Sequence, residues 1–339
     1  MIFIRADANK EIAIGHIMRC VAIANALRNM DKEVVFITAD EFGKNLVEKQ
    51  DFACIVLDSD YKNMESEIDK LIFIIKHNDT EMLLVDSYLL TERYMRALHR
   101  ETKTIWIDDE NGMSVDCSIL INYNLIVDTS YYNCYDDSVK LLLGPKYTPL
   151  REEFENVDNK IINERVSNIL VLVGGADNYH VIYNICTSLI KVLDLLPECR
   201  VNIVCGKYNE DYSMISNLIK MSNRISLYRH IVDIWNYMQN ADVCLSACGT
   251  STKELAACGT PCVVYSMSDN QVINGDNLDM LGLMKYVGDV RAKNFNYDKM
   301  IKELMVLCGD VVRRERESRS LQRTIDGMGA VRIARELLK

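Results

Sequence analysis

The chain has 339 residues, of which 49% are hydrophobic and 26% are charged, and its 39 basic and 49 acidic side chains give a formal net charge of −10. This composition excludes a disordered or fibrous chain, and the length predicts two domains that are each large enough to bury a core. The acidic balance argues against a nucleic-acid-binding protein, because binding phosphate backbones needs a basic face. The negative net charge does not exclude one small anionic ligand that binds in a local pocket.

The first part of the chain alternates apolar strands with amphipathic helices. Strands are predicted at residues 2–5, 34–38, 53–57, 82–85, 104–107 and 118–121, and helices at 16–30, 41–48, 64–75 and 91–98. Short buried strands that are separated by helices indicate parallel βαβ units. The segment 140–164 breaks the alternation with Gly144-Pro145, Pro149 and a charged run at 151–153, and we interpret it as the connection between the domains.

The alternation then resumes in the second part of the chain. Strands are predicted at 169–173, 200–205, 225–228, 243–246 and 262–265, and helices at 180–195, 211–220, 232–238, 252–258, 271–281, 297–307, 312–324 and 331–338. The predicted fold class is therefore α/β, with two doubly wound domains at 1–150 and 151–339. In such folds ligands bind at the carboxyl ends of the strands, so we expect a cleft that both domains face.

The twelve cysteines are scattered and do not have the spacing of a disulfide framework. The first residues carry charges rather than the apolar core of a signal peptide, and no apolar run is long enough to span a membrane. We therefore expect a cytoplasmic protein with reduced thiols. Zinc at the pairs Cys244/Cys248 and Cys258/Cys262 is an alternative, but cysteine is often a small buried apolar residue, and that interpretation is favoured here.

The loop after the first strand has one candidate catalytic residue. It places Gly15 and His16 at the start of a helix. A helix N-terminus is electropositive and favours the neutral imidazole, which can act as a general base. A capping or hydrogen-bonded histidine is the alternative interpretation.

Loops of the second half have residue types that bind phosphates and sugars. Gly174 and Gly175 permit close approach of a ligand to the backbone, although no GxGxxG fingerprint is present and a plain turn is the alternative. The segment 249–254 places small and hydroxylated residues at a helix start, where backbone amides suit a diphosphate. Glu254 can accept hydrogen bonds from sugar hydroxyls. An ordinary N-cap by Thr250 or Ser251 is the alternative.

A polar pair and an acidic turn complete the candidates. Asn270 and Gln271 follow a strand and can contact a sugar or cap a helix. Asp58-Ser59-Asp60 has the spacing of a metal-binding DxD motif, but it lies in a polar turn after an edge-like strand. We interpret it as a solvated loop, and we predict no metal and no other cofactor.

These elements together resemble the UDP-sugar hydrolases of pseudaminic acid biosynthesis and the wider group of spore-coat polysaccharide glycosyltransferase-like proteins. The resemblance covers about residues 1–285, and no single motif is specific by itself. The matching segments are Arg5-Ala6-Asp7, Ile12, Gly15–Cys20, Val85–Tyr88, Ile107–Asp109, Ile121-Asn122, Leu150–Phe154, Gly174–Asp177, Gly249–Glu254 and Asp269–Gln271. The last 50 or so residues match no known motif.

The resemblance implies a GT-B fold, a nucleotide bound to the second domain, and catalysis by His16, Tyr88 and Asn270. It implies substrate or UDP contacts at Arg5, Asp7, Gly15, Arg19, Gly174, Gly175, Ile231, Gly249, Thr250, Ser251, Thr252, Glu254 and Gln271. The helices at the end of the chain often return to the first domain in this fold. One position departs from the family pattern, because Ala13 stands where the family usually has glycine, and alanine does not adopt a positive φ easily.

The expected reaction is hydrolysis of a UDP-linked 2,4-diacetamido-2,4,6-trideoxyhexose. Water that His16 activates attacks the anomeric carbon, and UDP leaves with inversion. A GT-B glycosyltransferase for surface polysaccharide synthesis is the first alternative, because an acceptor hydroxyl needs the same base as water. A nucleotide-sugar binding protein without catalysis is the second. We expect a monomer whose partner is the small-molecule UDP-sugar, with no nucleic-acid partner and no membrane segment.

Overall fold

The computed structural model describes residues 1–9, 11, 12, 14–108, 114–133, 135, 138–173, 177, 179–206, 209–220, 222–229, 231 and 233–339. The chain divides into two compact units. Unit 1 consists of Met1–Glu155 and Gly327–Lys339, and unit 2 consists of Asn156–Asp326. The chain therefore leaves unit 1 once and returns to it for its last residues.

Unit 1 is built on one parallel sheet. Its strands in the described residues are β1 (Ile2–Ala6), β2 (Val34–Thr38), β3 (Ala53–Val56), β4 (Met82–Asp86), β5 (Lys103–Ile107), β6 (Ile119–Asn122) and β7 (Lys140–Leu143), in the order β3-β2-β1-β4-β5-β6-β7. Helices α1 (Gly15–Arg28), α2 (Glu41–Glu48), α3 (Ile68–His77) and α4 (Glu92–His99) connect them. All residues of β1 and β4 are buried, as is typical of parallel strands that are covered on both faces.

The strand order reverses at β1, and this reversal positions the candidate site. The chain moves outward from β1 to β2 and β3, then crosses to β4 on the other side of β1. The register pairs Ala6 at the end of β1 with Asp86 at the end of β4. A crevice opens at the carboxyl ends of two strands whose connections diverge in this way, and ligands of open α/β sheets bind there.

Unit 2 repeats the design with a second parallel sheet. Within the described residues its strands are β8 (Asn168–Leu172), β9 (Arg200–Val204), β10 (Ile225–Tyr228), β11 (Val243–Ala247), β12 (Cys262–Ser266) and β13 (Lys285–Asp289), in the order β10-β9-β8-β11-β12-β13. Its helices are α5 (Val181–Ile190), α6 (Tyr212–Ile219), α7 (Ile234–Asn240), α8 (Ser251–Ala257), α9 (Asp269–Met280), α10 (Tyr297–Gly309) and α11 (Val311–Thr324).

The last helix, α12 (Gly329–Leu337), packs on α1 of unit 1 and shares its apolar core. Ile333 and Leu337 are buried in that core, so α1 is covered on its outer face as well as on its sheet face. Close approach at the start of α12 requires glycine, because a Cβ on Gly329 would lie 2.0 Å from the backbone oxygen of Thr148. The end of the chain is therefore an integral layer of unit 1.

Two strands differ from the sequence prediction. The structure places β7 at Lys140–Leu143, inside the segment that the sequence analysis interprets as the inter-domain connection. It also places β13 at Lys285–Asp289, where no strand is predicted. Both are short outer strands of their sheets, and β13 carries Lys, Gly and Asp. Pairing with β6 and β12 stabilises these strands, and a pattern search along the chain does not detect it.

Candidate active site

His16 and Asp86 form a hydrogen-bonded pair at the crevice of unit 1. Asp86 is the last residue of β4 and is 1% exposed, and His16 is the second residue of α1. His16 Nδ1 lies 2.7 Å from Asp86 Oδ1. Arg19 Nη2, which only donates, lies 3.0 Å from the same Nδ1, but the contact with Asp86 is shorter and an ionised carboxylate only accepts hydrogen bonds. We therefore assign the ring proton to Nδ1, and a neutral ring then keeps its lone pair on Nε2. This is the tautomer that a histidine general base needs.

Arg19 holds the other side of Asp86. It lies one helical turn after His16, and its Nε donates to Asp86 Oδ2 at 2.5 Å. Its Nη2 also contacts Asp86 Oδ1, and its Nη1 donates to the Tyr123 hydroxyl. Burial acts to raise the pKa of Asp86, but the charges and hydrogen bonds of Arg19 and His16 outweigh it and hold that pKa well below its usual range. Asp86 therefore stays ionised.

A small cleft lies beside this pair, lined by Asp7, Ile12, His16, Tyr61, Asp86, Ser87, Tyr88 and Leu89. Its walls are largely apolar and aromatic, with a histidine and two carboxylates among them. The Tyr88 ring meets the His16 ring edge to face, with 4.5 Å between the centroids. Arg19 lies 5.8 Å from the centroid of the same Tyr88 ring. The cleft thus combines an oriented imidazole with both aromatic surface and hydrogen-bonding groups.

A buried ionic network lies beneath Asp7. Arg5 is 1% exposed, and its guanidinium makes two hydrogen bonds to Glu67, from Nε to Oε1 at 2.7 Å and from Nη2 to Oε2 at 3.0 Å. Arg5 Nη1 lies 2.7 Å from Asp7 Oδ2. The sequence suggests Arg5 as a substrate contact. The structure places its side chain inside unit 1, where it contacts the cleft residue Asp7 and is buried.

In unit 2, the segment 249–254 starts α8 after β11, as predicted. Thr252 Oγ1 donates to the backbone oxygen of Gly249 at 2.8 Å. Thr250 occupies the N-cap position, and its side chain makes no capping hydrogen bond within the described residues. The N-cap alternative therefore does not account for the Thr250 hydroxyl. Glu254 is half-buried on the first turn of the helix.

The remaining predicted residues of unit 2 lie on or near other strand ends. Gln271 Oε1 accepts from the backbone N–H of Met267 at 3.0 Å, and Asn270 is exposed on the first turn of α9, where its Oδ1 accepts from Ser268 Oγ at 2.5 Å. Ile231 is half-buried. The predictions at Ala13, Gly174 and Gly175 fall on residues outside those that the structure describes.

The structure brings Asp7, His16, Arg19 and Tyr88 together in unit 1, with Gly15 beside His16 at the start of α1. It places Asn270 and the other predicted binding residues of the second half in unit 2. The sequence pattern alone indicated no role for Asp86, Tyr123 or Glu67. The position of Asp86 directly after a buried strand was the available signal for that residue. Glu67 gave none, because it lies in a short 3₁₀ turn (Met64–Glu67) before α3.

Among the residues that the structure describes, no group of three or more His, Cys, Asp or Glu side chains is placed to hold a metal ion. No helix in the same part of the chain has the length and apolar character that crossing a membrane requires.

The chain is similar to several curated proteins at low identity, and no family model matches it. It is 26% identical over 283 residues to an uncharacterized protein of Methanocaldococcus jannaschii, covering 80% of this chain and 56% of that protein. It is 21% identical over 341 residues to the spore coat polysaccharide biosynthesis protein SpsG of Bacillus subtilis, covering 97% and 95%. The identity is 20% over 288 residues to a pseudaminic acid cytidylyltransferase and UDP-2,4-diacetamido-2,4,6-trideoxy-beta-L-altropyranose hydrolase of Helicobacter pylori, covering 83% and 47%. The chain thus spans about half the length of the first and third.

Solved structures show the same fold at lower identity. MurG of Acinetobacter baumannii superposes with a TM-score of 0.72 at 11% identity, covering 99% of both chains. A glycosyltransferase of kitacinnamycin gives 0.71 at 15% identity, covering 99% of this chain and 98% of that one. These similarities confirm the predicted GT-B fold with its two α/β units.

Proposed function

We propose that this chain hydrolyses a UDP-linked 2,4-diacetamido-2,4,6-trideoxyhexose at its anomeric carbon and releases UDP and the free sugar. The observation that carries the proposal is the His16–Asp86 pair, oriented by Arg19, in the cleft at the carboxyl edge of the unit 1 sheet. The relative in Helicobacter pylori whose name includes such a hydrolase supports it. SpsG, which this chain matches over nearly its whole length, is named for spore coat polysaccharide biosynthesis and fits hydrolysis and glycosyl transfer alike.

In the proposed reaction, His16 acts as the general base. Nε2 takes a proton from water as the water oxygen bonds to the anomeric carbon, and the bond between that carbon and the UDP oxygen breaks with inversion. Asp86 holds the ring and balances the positive charge that His16 gains. UDP needs charge stabilisation more than a proton, and the backbone amides near Thr250–Thr252 in unit 2 are the groups proposed to supply it. Tyr88 and Asn270 are proposed to contact the sugar.

Glycosyl transfer is the second candidate, because the glycosyltransferases among the solved structures have the same fold. There an acceptor hydroxyl replaces water and His16 takes the proton of that hydroxyl. The residues of unit 1 serve both reactions equally, because water and an alcohol can be deprotonated by the same general base.

The test is to incubate the purified protein with the UDP-2,4-diacetamido sugar, without acceptor or added metal, and to follow the reaction by NMR. Free sugar of inverted anomeric configuration supports hydrolysis, and UDP release that needs an acceptor supports transfer. UDP-sugar binding without either product supports the binding protein. We expect His16→Ala to bind UDP as the wild type does and to lose turnover by about 10²–10⁴-fold. Wild-type turnover in that variant would refute the role of His16.

A further inference from the structure

Glu67 is a fully buried carboxylate that is hydrogen-bonded to Arg5, Ser59 and Tyr94. It is 0% exposed and lies in the 3₁₀ turn before α3. Besides the two bonds from Arg5, Glu67 accepts from the Tyr94 hydroxyl at 2.8 Å and from Ser59 Oγ at 2.7 Å. A carboxylate taken out of water is costly unless it is paired and hydrogen-bonded, and here both oxygens are used. Such a network holds Arg5 in one position.

Arg5 carries this constraint to Asp7, which lines the cleft. Arg5 Nη1 lies 2.7 Å from Asp7 Oδ2, and this atom pair is a charge contact without hydrogen-bond alignment. Asp7 Oδ1 accepts from the backbone N–H of Ala39 at 2.7 Å. Each carboxylate oxygen has two lone pairs, so Asp7 keeps acceptor capacity on both oxygens. It suits a ligand that offers O–H or N–H donors and repels an anion.

We infer that Glu67 is a positioning residue: through Arg5 it fixes the Asp7 carboxylate as a hydrogen-bond acceptor for the sugar. Glu67 does not touch the substrate. When the charge of Glu67 is removed, Asp7 becomes the nearest counter-ion of Arg5. The guanidinium is then no longer held by the two aligned hydrogen bonds that join Nε and Nη2 to the carboxylate oxygens of Glu67. The guanidinium then moves toward Asp7, and the carboxylate turns away from the Ala39 amide and the cleft. The kinetic part of this inference rests on the proposed function.

The first experiment needs no activity. The Ala39 amide proton reports the position of Asp7, because it is donated to Asp7 Oδ1. In ¹⁵N-correlated NMR spectra, Glu67→Gln should shift the Ala39 amide signal and speed its hydrogen exchange. The matched control is Glu65→Gln, two residues earlier, whose carboxylate bonds to Thr91 and Arg93 instead. An Ala39 signal that is unchanged in Glu67→Gln overturns the inference, whatever the enzyme turns over.

The second experiment measures kcat and KM for the UDP-sugar. Losing one hydrogen bond to a charged group corresponds to about tenfold in affinity, so Glu67→Gln should raise KM about tenfold and change kcat less. Asp7→Asn should have the same effect, and the double variant should be no worse than Asp7→Asn alone, because both act through one contact. Effects on KM that multiply in the double variant would overturn the inference. If the wild type shows no turnover, the proposed function is refuted. The Ala39 amide signal then decides whether Glu67 positions Asp7.

Glu67→Gln removes the buried carboxylate that pairs with Arg5. Of the proposed variants, it is therefore the one that can fail to fold. Ser59→Ala and Tyr94→Phe each remove one hydrogen bond to Glu67 and keep its charge. Both should shift the Ala39 amide signal in the same direction as Glu67→Gln, by a smaller amount. If both leave that signal and KM at wild-type values, the network is structural only and the inference fails.

Discussion

The substitution Asp86→Asn tests the His16–Asp86 pair with almost no change of shape. Arg19 donates to both carboxylate oxygens of Asp86, and His16 Nδ1 donates to one of them. An asparagine has one oxygen and one NH₂ group, so its NH₂ must face either Arg19 or His16. If it faces His16, the imidazole must accept at Nδ1, which moves the ring proton to Nε2 and removes the lone pair that the base uses. If it faces Arg19, two donors oppose each other.

We expect kcat to fall by about 10²–10⁴-fold, the range for losing an oriented general base. UDP affinity should stay at the wild-type value, because the proposed UDP contacts lie in unit 2. Stability should fall as well, since the Arg19 side chain is 12% exposed and loses its counter-charge. Breaking a buried ion pair costs about 3–5 kcal/mol, and each kcal/mol corresponds to about 2–4 °C in Tm for a domain of this size.

The measurements are UDP release at saturating substrate, calorimetric UDP binding and thermal unfolding. Asp242→Asn is the matched control in unit 2, because Asp242 is buried and accepts hydrogen bonds from Ser167 and Asn168. It should lower Tm and leave kcat unchanged. A folded Asp86→Asn protein with kcat within a factor of two of the wild type would refute the tautomer argument.

The pH dependence of stability tests whether ionised Asp86 stabilises the folded protein. The folded-state pKa of Asp86 lies well below its usual range, so its contribution to stability is fully present above about pH 4, the ordinary pKa of an aspartate. That contribution is lost as the pH falls from there through the folded-state pKa. The difference in Tm between the wild type and Asp86→Asn should therefore shrink as the pH falls below about 4. A difference that stays constant or grows below that pH would contradict the ion-pair account.

Two further predictions concern unit 2 and the end of the chain. Glu254→Ala should weaken UDP binding by about tenfold in calorimetry, as expected for one lost hydrogen bond to a charged group, and unchanged affinity would remove Glu254 from the nucleotide site. Gly329→Ala should lower Tm strongly, because its Cβ would lie 2.0 Å from the Thr148 oxygen, whereas a Cβ on Gly309 would meet nothing within 4 Å, so Gly309→Ala is the control. Equal Tm values for the two variants would contradict the packing of α12 on unit 1.

The amino-acid sequence by itself predicted much of the fold. The strands β2 and β10 and the helix α2 have the predicted bounds, since their apolar residues follow the periods of an isolated strand or helix. The sequence also predicted the GT-B fold, by resemblance, and His16 at the start of α1. The strands β7 and β13 were missed, because pairing with a neighbouring strand stabilises them and sequence periodicity does not report that pairing.

Only the tertiary structure showed which groups act together. His16 and Asp86 are separated by 70 residues in the chain, and Arg5 and Glu67 by 62, so no local spacing connects them. The reversal of strand order at β1 brings the ends of β1 and β4 side by side, and this contact makes Asp86 the partner of His16. The tertiary structure also showed that Arg5, which the sequence suggested as a ligand contact, is buried against Glu67. Local periodicity in the sequence predicts individual helices and strands. Which side chains are buried or form ion pairs depends on which helices and strands pack together in the folded chain.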